Sequence, residues 1–96
     1  MYVTIRKYPG CTNAKEVNRI AMAELLPVLR QVGGFRSYVI VDTGNGSIAS
    51  IGIFDSKASA ETANQRAREV VQKSAMKDLL PNPPEITVGE VLGNAK

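Results

Sequence analysis

The sequence predicts an α+β domain in which one antiparallel sheet of four strands is covered by two helices. Three observations carry this: four short alternating or β-branched segments, two helical stripes between them, and an Asn-Gly step joining the two middle strands directly. With 96 residues the chain has the size of one domain, read as residues 1–92 with a frayed tail over 93–96.

Tyr2 to Tyr8 alternates, with Val3 and Ile5 on one side and Tyr2, Thr4, Arg6 and Tyr8 on the other. Pro9-Gly10 ends this strand, and Asn13 caps a helix with Glu16 three residues on, a variant of the capping box. Val17, Ala21, Leu25, Val28, Leu29 and Val32 form its apolar stripe; Pro27 should kink or divide it, and Gly33-Gly34 should stop it. Phe35 to Asp42 is a second strand, and Thr43-Gly44-Asn45-Gly46 a hairpin into Ser47–Asp55. That loop lacks the lysine and following helix of a phosphate loop. Ser56 or Asp55 caps a second helix running to about Lys77, with a small-residue inward stripe of Ala60, Ala63, Ala67, Val70, Val71 and Ser74. Pro81-Asn82-Pro83-Pro84 is a stiff linker that no helix continues through, and Ile86 to Leu92 is the last strand. The order β-α-β-β-α-β is that of the ferredoxin-like fold.

Composition narrows the function. Hydrophobic content of 44% and charged content of 22% are those of a globular protein. Twelve basic residues are scattered among nine acids, and the third strand has one aromatic and no base, which argues against a nucleic-acid partner. A basic and apolar leader is missing from the strand-like start and no apolar run could cross a bilayer, so a cytoplasmic protein with no membrane partner is expected. The single Cys11 has no cysteine to pair with. It stands in a turn that favours a thiolate, but with no histidine in the chain an inert thiol is the simpler reading. Absence of both His and Trp removes the commonest general base, zinc ligand and haem ligand. No metal and no haem, flavin or other cofactor is expected.

The strands do not alternate cleanly between apolar and polar. Ile51 and Ile53 oppose Ile48 and Phe54, and Val39 and Val41 oppose Tyr38 and Ile40. A second apolar face marks an interface, so a homodimer is expected, closing a two-sheet barrel with a cavity between the sheets. A charge at Ile48 or Ile40 should then weaken the dimer more than one at Arg19 on the outer helix face.

In four segments the chain resembles the antibiotic-biosynthesis-monooxygenase-like group of the dimeric α/β-barrel superfamily. They are the opening strand Tyr2–Tyr8, Gly34-Phe35-Arg36-Ser37-Tyr38, Ser50-Ile51-Gly52-Ile53-Phe54 and the closing run from Pro84 to Val91, so the resemblance spans nearly the whole chain. It implies a homodimeric α/β barrel and a group that includes cofactor-independent oxygenases, haem-degrading enzymes and isomerases. Oxygenase and haem-degrading members resemble one another in using Trp, His or a first-strand Asn in the cavity; here the first strand offers Thr4 and Arg6 instead. Two functions follow: a monooxygenase-like enzyme acting without a cofactor on an aromatic or polyketide-like molecule, or a non-catalytic module that binds a small molecule or serves assembly.

No catalytic residue is singled out. The substrate-binding candidates are Arg6, Tyr8, Arg36, Tyr38, Asp42 and Ser50, a mixture of aromatic walls and a few polar groups. Arg6 and Arg36 would hold an anion, and Tyr38 or Tyr8 would donate to a developing enolate or phenolate oxygen. The plainer alternative pairs both arginines with Asp42 or Glu90 at the rim. Because Val3, Ile5, Val39, Val41, Ile51 and Ile53 are the more aliphatic set, strand parity puts them under the helices and the candidates on the far face. A bulge would reverse this within a strand, and Gly52 is a plausible place for one. Asn18, within the first helical stripe, either looks toward a ligand or bonds backbone.

Overall fold

The alternation of the first strand becomes β1 (Tyr2–Tyr8) in the computed structural model, which describes residues 1–95. Asn13 caps α1 (Ala14–Ile20) by accepting the Glu16 backbone N–H at 3.1 Å. Pro27 divides this helix as expected. Ala21–Leu25 is a π-helical turn in which the Leu26 N–H reaches back to the Ala21 carbonyl, and α2 (Leu26–Arg30) restarts with Pro27 in its first turn. Proline is tolerated there because the first N–H groups of a helix have no intrahelical partner, and the wider turn before it absorbs the missing bond.

β2 (Phe35–Asp42) turns back through the expected hairpin into β3 (Ile48–Phe54). The left-handed backbone of Gly44 and Gly46 (φ 83° and 77°) makes the turn, and Asp42 Oδ1 accepts the Gly44 N–H at 2.9 Å. Ser56 caps α3 (Lys57–Lys73), accepting the Ser59 N–H at 3.1 Å. That helix stops four residues short of the expected Lys77. Ser74 turns to extended backbone, and its hydroxyl donates to the Val71 carbonyl at 3.3 Å and accepts the Met76 N–H at 3.2 Å, local bonds that compete with the helical ones. A four-residue α4 (Met76–Leu79) follows, then the Pro81–Pro84 segment and β4 (Glu85–Glu90). Residues 93–95 have no regular structure, and Lys96, the end of the expected tail, lies outside the described residues.

The sheet order is β2-β3-β1-β4, every neighbouring pair antiparallel, so the chain closes as a ferredoxin-like domain. Register decides which face is covered. Thr4 and Tyr38 stand opposite Gly52, Arg6 and Ile40 opposite Ser50, and Tyr8 opposite Ile48, so all share one face. Thr4, Arg6, Tyr8, Ile48, Ser50 and Phe54 are all buried, and the apolar ones join one core with Val17, Leu25, Leu29 and the alanines of α3. The parity expected from the sequence is therefore inverted: Arg6, Tyr8, Tyr38 and Ser50 lie beneath the helices, and the aliphatic set faces away from them.

The reason is volume and hydrogen bonding. Ala60, Ala63 and Ala67 are fully buried, and a stripe so short leaves room for long side chains rising from the sheet. Arginine and tyrosine bring apolar stems as well as polar ends, so they fill a core whose partner helix can bond those ends. A second departure lies in β2. Phe35 pairs with Phe54 but Ser37 with Ile53, so Arg36 is the extra residue of a bulge, in β2 and not at Gly52. The bulge separates Arg36 from Tyr38, which share parity in the sequence. Tyr38 returns to the covered face, while Arg36 is exposed and paired with Asp55.

Gly52 has a packing role instead. A Cβ there would come 2.8 Å from the ring of Phe54, which is wholly buried and packs edge-on against Phe35 with ring centres 5.9 Å apart. Gly52→Ala should lower stability by about 1–3 kcal/mol in urea unfolding, because the added methyl overpacks a filled core. Gly93→Ala, with nothing within 4 Å of the new atom, should change it by less than about 0.5 kcal/mol.

Candidate small-molecule site

Arg6 sits near the middle of β1, on a central strand of the sheet, and its side chain runs under α3 with only 3% of its surface exposed. Nη2 donates to Ser50 Oγ at 3.2 Å and Nη1 to Asn64 Oδ1 at 3.4 Å. Asn64 Oδ1 also accepts from Thr4 Oγ1 at 2.6 Å. Since arginine can only donate, the amide oxygen of Asn64 must face it, which leaves the amide nitrogen outside this chain of bonds. Ser50 Oγ in turn donates to Tyr38 Oη at 2.8 Å, so the tyrosine keeps its own O–H to give.

The charge at the head of this chain is not neutralised. The ion pairs among the described residues are Arg19–Glu16 and Arg36–Asp55, both at the surface, and Arg6 Nε is buried with no hydrogen-bond partner. A buried cation costs several kcal/mol unless it is paired, and a buried unpaired N–H adds to that cost. A guanidinium of this kind beside open space has the chemistry to hold an anion.

Open space adjoins it. A cleft of about 530 Å³ lies between α3 and the Pro81–Pro84 segment, reaching Arg6, Tyr8 and Asn64 at its inner end and Arg68 and Lys77 elsewhere on its wall. A separate void of about 10 Å³ connects Arg6 and Tyr8 to Tyr38 and Ser50. The cleft lies within one chain, between the sheet and the helices. Burial raises the Tyr38 phenol above its ordinary value, in spite of the Ser50 hydrogen bond and the Arg6 charge, which both favour the phenolate. Tyr38 is thus a donor at neutral pH and not a base.

Of the six candidates, Arg6 and Tyr8 line the cleft, and Ser50 and Tyr38 stand behind Arg6 in its hydrogen-bond chain. Asp42 is spent on the hairpin turn and Arg36 on Asp55, so the structure does not bring these two to the cleft. The alternative that pairs Arg6 with Asp42 or Glu90 is not what is found. Asn18 is exposed, and Cys11 is a partly buried free thiol packed against the core. Sequence reasoning missed Asn64, Arg68 and Lys77. The signal for Asn64 was present: it is the one asparagine within the run from Ala60 to Ala67, four residues after an inward alanine. No group of three or more metal-ligating side chains is found among the described residues, and no helix there is long and apolar enough to cross a membrane.

No family model matches the chain, and no curated protein matches its sequence. Solved structures do match its fold. One is a monooxygenase from the gene ActVA-Orf6 of Streptomyces coelicolor in complex with nanaomycin D, at 18% identity and a TM-score of 0.75, covering 99% of this chain and 90% of that one. Another is SnoaB, a cofactor-independent oxygenase from Streptomyces nogalater, in its N63A mutant form, at 9% identity and a TM-score of 0.73, covering 97% and 94%. A third, NE2512 from Nitrosomonas europaea, is a protein of unknown function at 16% identity and a TM-score of 0.75, covering 99% and 91%. The chain therefore has the ferredoxin-like fold of antibiotic-biosynthesis-monooxygenase-like proteins. At these identities the likeness is one of fold.

The Tyr38 shift has a measurable sign. Its proton is held more tightly in the folded chain than in the unfolded one, where it leaves near pH 10.0. The contribution is fully present below that pH and lost as pH rises through the higher folded value. Stability measured by urea unfolding should fall with pH above about 10, and Tyr38→Phe should remove that part of the slope. An unchanged slope in the variant would place the phenol in solvent.

Proposed function

We propose that the chain is a small enzyme that binds an electron-rich aromatic molecule in the cleft under α3 and oxidises it with molecular oxygen, with Arg6 holding the substrate as its anion. The observation that carries this reading is a buried guanidinium with no carboxylate partner and an Nε without a hydrogen bond, on a residue that lines a cleft of about 530 Å³. That volume suits a planar molecule of two or three fused rings. Arg6 lowers the cost of the phenolate, while Asn64 and Ser50, the latter donating on to Tyr38, fix the guanidinium in place. The shared fold with a cofactor-independent oxygenase supports the reaction type.

In such a reaction a phenol C–H becomes a quinone carbonyl. The substrate anion gives up four electrons in all, one atom of O₂ enters the ring and the other leaves as water. The substrate supplies every electron, so no separate reductant is required. Among the described residues, no aspartate or glutamate lines the cleft or the void, and the chain has no histidine. That favours substrates acidic enough to ionise against Arg6 alone. The same observation supports a second reading, a module that binds the anion without turning it over.

Oxygen uptake with 1,5-dihydroxynaphthalene separates the two. The enzyme reading expects one O₂ consumed per quinone formed, with uptake at least about tenfold lower in Arg6→Met. Arg6-dependent binding with uptake no faster than in buffer would leave only the binding module.

We further propose that the chain is a homodimer joined through the bare face of the sheet. Val3, Ile5, Val39, Val41, Ile51 and Ile53 form a continuous aliphatic surface across β1, β3 and β2, with Val39 50% and Val41 38% exposed. A face with no charge at its centre is self-complementary, as a two-fold axis requires, and Lys7 and Glu85, paired across β1 and β4, supply opposite charges toward its rim. Ile48, expected from the sequence as an interface position, is only 2% exposed under the helices, so a charge there would unfold the chain and report nothing about association. Light scattering at micromolar concentration should give twice the 10.3 kDa chain mass, and Ile51→Glu should give the single-chain mass with helical circular dichroism intact. A single-chain mass for the unaltered protein would refute the dimer.

A further inference from the structure

Arg6 accounts for one charge at the inner end of the cleft, but the lining carries two more. Arg68 and Lys77 stand on the wall, and neither takes part in an ion pair among the described residues. The cleft lining contains no aspartate or glutamate, although the chain as a whole has nine acids against twelve bases. Three cations and no acid around one cleft is a bias that the mild net charge of +3 does not produce by itself.

Position gives the bias a use. Asn64 bonds Arg6 at the inner end, and Arg68 follows one helical turn later on the same face of α3, about 6 Å along the axis. Lys77 enters from α4, on the far side of the break at Ser74. Had α3 continued unbroken to Lys77, the lysine would stand nine residues past Arg68 on that one rod. The break instead lets both side chains reach the same cleft. Between these cations and Arg6 the remaining wall is largely apolar, with Tyr8, Val71, Leu80 and Ile86 among it.

We propose that the cleft takes a planar aromatic acid with two separated anionic groups: a phenolate or enolate held by Arg6, and a carboxylate on Arg68 and Lys77. This rests on the reading of the cleft as an anion site and adds the class of molecule that it selects. Arginine and lysine differ in what they offer a carboxylate, a fork and a point charge, so Arg68 orients the acid and Lys77 adds attraction. The contact is partly open to water and weakens with salt, whereas the Arg6 contact, being buried, does not.

The test titrates the full-length chain with 2-naphthol and with 6-hydroxy-2-naphthoate, following tyrosine and ligand fluorescence. The hydroxy acid should bind about tenfold or more tighter than the naphthol, and the ratio should fall to about twofold in the Arg68→Gln/Lys77→Gln pair. Both replaced residues are exposed, so folding is not at stake. Lys15→Gln/Arg30→Gln removes the same charge at positions outside the cleft lining and should leave the ratio as it was. Equal affinities in the unaltered chain, or an equal fall in the control pair, overturn the carboxylate site. If naphthol binding is then still lost in Arg6→Met, the anion reading of the cleft stands without it. Failure of both ligands to bind overturns both.

Discussion

Everything in the covered half of this domain is arranged around a positive charge that has no negative partner. Arg6 lies under α3 on a central strand, where the usual remedy would be an aspartate or glutamate within reach. The chain supplies oxygen atoms of neutral groups instead: Ser50 from the neighbouring strand and Asn64 from the helix above. These satisfy the ends of the guanidinium and leave Nε without a hydrogen bond. Alanines at 60, 63 and 67 then become a necessity, since a larger stripe would occupy the volume that Arg6, Tyr8 and Tyr38 fill. An isolated charge of this kind is a standing cost to stability, and proteins accept such costs where a ligand later offsets them.

The fold was legible because its signals are local. Asn13, Ser56, the glycines of the hairpin and the prolines after Leu80 each fix an element boundary through backbone chemistry that needs no knowledge of the rest of the chain. Even the division at Pro27 could be read, although its form, a π-helical turn, could not. The choice of face was a different kind of question. Ranking the two sides of each strand by aliphatic content assumes that the helices want the greasier side, and here the assumption fails. The helices present alanines and an asparagine, and the sheet meets them with long side chains that carry polar ends. Which side wins is set by how two elements far apart in sequence share volume.

The site was half legible for the same reason. Arg6, Tyr8, Tyr38 and Ser50 were found because strand register groups them, and the grouping survives an inversion of the sheet. Arg36 fell out because one extra residue in β2 turned it to solvent, an event with no sequence signature of its own. Asn64 and Arg68 were passed over because an exposed polar residue on a helix is ordinary. Only the position of Asn64 among inward alanines sets it apart.

The Pro81–Pro84 segment, described above only as a connector and one wall of the cleft, also governs how a ligand would arrive. Three of its four residues have φ fixed by their rings, and the fourth, Asn82, donates its side-chain amide to the Pro9 carbonyl at 3.0 Å, which fastens the segment to the end of β1. A wall built this way gives up little conformational freedom when a guest enters, so the entropy lost on binding comes almost wholly from the guest and from the long side chains of Arg68 and Lys77. The cleft is accordingly preorganised on one side and adaptable on the other, and molecules that differ in outline would be told apart by the proline side.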